Sequence, residues 1–165
     1  MDDVLRSEIV GTAGPTLAAA TAIVLTLMRK PAIADRAEWR RVATLFVLTV
    51  GAQVAHFGEE YATHFEVRFP RLLGLTPWPP AFFVLFNVAW LAIWATAVFP
   101  LSGGSRVALF AAWFLALAAL LNGVAHPLLA IEAGGYFPGL LTSPMLGVAG
   151  ALLLRRLVAA TAGNS

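Results

Sequence analysis

Five stretches of this chain, approximately residues 9–28, 42–65, 79–100, 107–131 and 137–158, are each 20 residues or longer and almost wholly apolar. A helix needs roughly 20 apolar residues to cross ~30 Å of hydrocarbon, so each stretch is long enough to span a bilayer. Runs such as AAWFLALAALL (111–121) lack the period-two alternation of barrel strands and are rich in Ala and Leu, which selects helices. Five spans in 165 residues leave only short connections, so consecutive helices run antiparallel. The expected fold is all-α: one polytopic transmembrane domain, residues 1–165, built as a bundle of about five helices.

The remaining composition agrees. Charged residues are 12% of the chain and mean hydropathy is +0.80, whereas a soluble domain carries about 25% charge to cover its outside. That shortfall excludes a disordered chain, a nucleic-acid binder and an ordinary soluble enzyme. With no cysteine, disulfides, thiolate metal sites, iron–sulfur clusters and cysteine nucleophiles are excluded too. Three histidines are too few for a histidine-box di-iron enzyme.

Orientation follows from the basic residues beside the spans. Arg29, Lys30, Arg36, Arg40, Arg41, Arg106, Arg155 and Arg156 fall on one side, and Arg6, Arg68 and Arg71 on the other. The asymmetry predicts an N-terminus outside and a C-terminus in the cytoplasm. Trp39 is then expected at the inner interface, with Trp78 and Tyr136 on the outer one. The segment FPRLLGLTPWPP (69–80) is too apolar for water and too broken for a span, and is expected along the outer interface.

Ionisable groups within a bilayer are costly unless paired, hydrated or metal-bound, and they mark function by default. The second span concentrates them: Gln53, His56, Glu59, Glu60, Thr63 and His64. At about 100° per residue all six fall within less than half the helix circumference, giving one polar face. The fourth span carries Asn122 and His126 one turn apart, and Pro127 there is expected to kink the helix. Both helices run the same way. His56 lies 15 residues beyond Arg41 and Asn122 lies 16 beyond Arg106, while Glu60 and His126 lie 19 and 20 beyond. At ~1.5 Å per residue the two clusters are level to within ~2 Å, in the outer half of the membrane. Asn87 of the third span reaches a comparable depth.

His56-Phe57-Gly58-Glu59-Glu60, together with Asn122-x-x-x-His126 in a later helix, resembles the HXXEE-motif family of small bacterial membrane proteins. The resemblance covers roughly residues 40–155. It implies a bacterial cytoplasmic (inner) membrane location and a shared site at His56, Glu59, Glu60, Asn122 and His126, and it supplies no reaction.

Three chemistries suit these side chains. In the leading one, His56, Glu60 and His126 are ligands of a divalent metal, zinc or iron. Glu59 is the acid/base, and Asn122 is a donor to substrate or oxyanion. His-x-x-Glu is close to the inverted zincin pattern His-x-x-Glu-His, but residue 60 is Glu, which departs from peptidase chemistry. The second is a metal-free acid/base site able to isomerise or cyclise a lipid. The third is a proton- or ion-coupled carrier, or a lipid-binding protein without turnover. In each, the partner is a lipophilic small molecule from the bilayer, alongside the membrane lipids.

Overall fold

A computed structural model describes residues 2–29, 36–101 and 103–162, and these form helices with no strand among them. Lys30, counted above in the first basic loop, lies outside the described residues. In chain order the helices are α1 (Asp3–Gly11), α2 (Ala13–Met28), α3 (Arg36–Ala62), α4 (Phe65–Leu72), α5 (Pro80–Leu101), α6 (Arg106–Glu132) and α7 (Ser143–Ala160). Of these, α3, α5, α6 and α7 are long and apolar enough to cross a membrane. The pair α1 and α2, bent by 47°, makes a fifth span if the two count as one. The expected membrane bundle is therefore present.

The helices of the first two spans start earlier than expected, at Asp3 and Arg36, and two further boundaries differ for a local reason. The second stretch ends at Ala62 instead of running to 65, because His64 takes a left-handed conformation (φ 60°) that turns the chain into α4. The fifth span begins at Ser143 and not at 137, because Gly139 sits at φ 85° behind Pro138 and residues 133–142 form a connector. α6 stays helical through Pro127.

α6 is the central helix and packs on α2, α3, α5 and α7. Its closest neighbour is α7, and small residues make that approach feasible: a Cβ on Gly123 would lie 2.5 Å from Gly147 Cα, and one on Gly150 would lie 2.7 Å from Ala119 Cβ. In lipid, where apolar surface gives helices little reason to associate, such backbone proximity supplies the van der Waals contact that holds them. At the arginine-rich end, Trp39, Val42, Phe46, Trp113, Phe114, Leu153 and Leu157 fill one apolar core. Trp39 and Trp78, expected in interfacial belts, are both buried at 6% exposure.

Segment 69–80 does not lie flat as a separate piece. It continues from α4 and folds back, with the Trp78 amide donating to the Glu66 carbonyl (2.9 Å) and the Trp78 indole N–H donating to Ser7 Oγ (3.1 Å). The Trp78 ring also occupies the space where a Cβ of Gly11 would stand, so only glycine fits at that point of α1. α4 and this return strap thus close over the end of the bundle opposite the arginines.

Candidate metal centre

α3 and α6 bring His56, Glu60 and His126 together, as their matched depths require. Glu60 Oε1 is 3.5 Å from His56 Nε2 and 3.3 Å from His126 Nε2, and the two Nε2 atoms are 3.2 Å apart. The imidazole planes are perpendicular, with centroids 4.5 Å apart. All three residues are buried, at 0%, 6% and 2% exposure for His56, Glu60 and His126.

The partners of the outer ring nitrogens decide what faces the centre. His126 Nδ1 is 2.6 Å from the Pro138 carbonyl, which can only accept, so Nδ1 carries the proton. His56 Nδ1 is 2.8 Å from Thr142 Oγ1. That hydroxyl has a single proton and donates it to Glu59 Oε2 at 2.6 Å, so it accepts from His56 Nδ1–H. In the neutral rings both Nε2 atoms therefore turn lone pairs inward, beside a carboxylate oxygen. Three acceptors converge without a donor among them, an arrangement that a cation can satisfy. A tetrahedral ion with bonds of about 2.0–2.1 Å holds its ligands roughly 3.3–3.4 Å apart, which matches this triangle. The His-Glu-His group can hold a metal ion, and its histidines have the outer-nitrogen partners that orient metal ligands.

Glu59 points away from the triangle, 100° round the helix from Glu60. Its Oε1 accepts from the Tyr136 hydroxyl (2.8 Å) and the Leu141 amide (3.0 Å), and its Oε2 from the Thr142 amide (2.8 Å) and hydroxyl. These amides precede α7, whose N-cap Thr142 has no side-chain cap bond to its own helix. A carboxylate at that terminus satisfies orphan N–H groups and faces the positive end of the helix dipole. Glu59 thus fastens the connector that reaches both histidines. Outside the spans, burial first and the bond to Glu59 second push the Tyr136 phenol above its ordinary value.

Asn122 lies one turn before His126, where it lines a cavity of about 260 Å³ together with Gln53, Glu60, Asn87 and His126. The rest of the wall is mainly aromatic, from Phe65, Phe69, Trp78, Phe82, Phe83 and Phe86, and residues 10–15 of α1 and α2 contribute as well. His64 is outside the site, with a mostly exposed side chain that contacts Glu66 at 3.1 Å. Its partner Glu66 is buried, at 5% exposure.

Sequence reasoning missed Thr142, Gly139, Pro138 and Phe65. Gly139 is the most constrained: a Cβ there would stand 2.5 Å from the His126 ring and 2.8 Å from that of His56. Pro138-Gly139 is a turn signal that the expected span of 137–158 passed over, and nothing local says that the turn folds onto two histidines.

Compared with known proteins, the chain matches no family model, no curated protein and no solved structure.

Proposed function

We propose that this chain is a metal-dependent membrane enzyme of hydrolase or isomerase type acting on a lipophilic substrate. His56, Glu60 and His126 are the ligands. The supporting observation is the pair of inward Nε2 lone pairs, 3.2 Å apart, whose orientation Pro138 and Thr142 fix from behind. Two histidines and one carboxylate are a donor set that would hold catalytic zinc, and the same set would hold iron. Held by His56, Glu60 and His126, such an ion would supply Lewis-acid chemistry to water or to a substrate carbonyl.

The chain's own residues supply the rest. Glu60 and His126 reach the cavity wall, so a bound substrate meets the centre from that side. Asn122, also in the wall, offers an amide donor to the substrate. Glu59 acts through Thr142 on the orientation of His56 and is better placed as a positioning residue than as the base. The HXXEE resemblance supports a shared site and a bacterial inner-membrane location for this reading.

A second reading keeps the site free of metal, with a proton between the two imidazoles, and the 3.2 Å N···N separation is compatible with such a bond. Transport finds less support, because the packed apolar core around Phe46, Trp113 and Leu153 lies between the site and the arginine-rich end. Elemental analysis of detergent-purified wild type and His56→Ala tests the proposal. One equivalent of zinc, lost in the variant, is expected; absence of metal from the wild type selects the shared proton.

A further inference from the structure

Beyond the metal ligands, the cavity contains hydrogen-bonding capacity that the protein itself leaves unused. Gln53 is buried at 6% exposure, lines the cavity, and its Oε1 has no hydrogen-bond partner. Asn122 makes no side-chain hydrogen bond among the described residues. Asn87 donates from Nδ2 to the Phe83 carbonyl (3.0 Å), which leaves its Oδ1 open. Buried polar groups are paired in the great majority of proteins, and an unpaired one in an apolar wall is costly. The unpaired Gln53 oxygen is the buried case, and with the half-buried Asn87 and Asn122 on the same cavity it marks a place for a ligand's polar group.

We propose that Gln53, Asn87 and Asn122 form a subsite for an uncharged lipid group that both donates and accepts hydrogen bonds, a carboxamide or a hydroxyl. The free Gln53 oxygen requires a donor, and the amide N–H groups require an acceptor. A phosphate or carboxylate does not fit. Among the described residues lining the cavity there is no Lys or Arg to pair with an anion beside the carboxamides. Along the helix axes Gln53 lies seven residues from Glu60 and Asn122 four from His126. The recognised group therefore sits ~6–10 Å from the metal centre, and the reacting bond is a separate part of the same molecule. A cavity of about 260 Å³ houses only part of a lipid. Val10 and Leu121 line it while 45% and 41% exposed, so the remaining chain leaves to the bilayer beside them.

The subsite deepens the enzyme reading and rests on it for the reaction alone; binding at the carboxamides does not need the metal. The test is equilibrium binding of radiolabelled dodecanamide to protein in nanodiscs, zinc-loaded and chelator-treated. Zinc content is measured on the same samples, so loss of the metal reading registers separately. Saturable binding is expected in both forms, weakened about tenfold by Gln53→Leu and again by Asn122→Leu. With chelator-treated protein, methyl dodecanoate, which only accepts, should compete weakly and equally in wild type and Gln53→Leu, because it has no donor for the Gln53 oxygen. Equal dodecanamide affinity in wild type and both variants, preference for dodecyl phosphate, or no saturable binding would each overturn the subsite.

Discussion

The Thr142 hydroxyl stands between two acidic and basic groups of α3, accepting from His56 Nδ1 at 2.8 Å and donating to Glu59 Oε2 at 2.6 Å. A residue at the start of α7 thereby fixes which nitrogen of His56 faces the candidate metal. Thr142→Val removes that hydroxyl at nearly constant volume and frees the imidazole to change tautomer. Metal affinity should fall 10–100-fold, the usual effect of losing such a partner. Thr142→Ser should restore it, as zinc competition with a chromophoric chelator would record.

Gly139 tests whether the connector must touch the rings. Gly139→Ala adds a Cβ 2.5 Å from the His126 ring at φ 85°, so both the contact and the backbone are strained. A loss of about 1–3 kcal/mol is expected, together with loss of metal. Gly134→Ala is the control: its φ of 71° carries the same kind of backbone cost, but nothing lies within 4 Å of the new Cβ. That variant should keep its metal. Equal metal content in the two would show that ring contact is unimportant.

Glu59→Gln separates fastening from ligation. The amide retains one acceptor oxygen where the carboxylate served four donors, and the charge at the α7 terminus disappears. Thermal unfolding in detergent should register a loss of about 1–3 kcal/mol. Metal should still bind at full stoichiometry with lower affinity, since the three ligands remain. Complete loss of metal would instead place Glu59 among the ligands.

The Tyr136 phenol, held above its ordinary value by burial and by Glu59, gives a pH signature. Folding retains its proton more tightly than the unfolded chain does. The stabilisation is complete below the unfolded value of about 10 and disappears as pH rises through the higher folded one. Ultraviolet titration of wild type minus Tyr136→Phe should show a tyrosine ionising later than a free one. An ordinary titration midpoint in that difference would mean that neither the burial nor the Glu59 contact holds in solution.

The arginine asymmetry predicts the orientation. In intact cells Ala133→Cys, in the α6–α7 connector, should react with an impermeant thiol reagent, and Gly103→Cys, between α5 and α6, should not. Because the natural chain has no cysteine, each variant reports alone. The opposite labelling pattern would invert the assignment.

Counting residues from the arginines that start both spans set Glu60 level with His126 and His56 level with Asn122, because rise per residue in a helix is fixed. The adjacent Glu59 and Glu60 show where that reasoning stops. Helical rotation separates the two carboxylates by 100°, but which neighbour each one meets depends on how α3 sits against α6 and α7. Glu60 turns to the histidines and Glu59 to the amides before Thr142. Trp78 is similar: its amphipathic ring suited an interface, yet Gly11 and Ser7 of a distant helix bury it.

By itself the sequence determined a bundle of membrane-length helices and the relative level of Glu60 and His126 along them, since both follow from hydrophobic length and helical rise. The tertiary structure alone decided that residues 138–142 fold over the histidines and fix their tautomers, and that span one helps to wall the cavity. Those contacts join segments as much as 86 positions apart. They are set by the close approach of Gly123 to Gly147 and by one left-handed glycine, and no local pattern of residues encodes where such a turn will land.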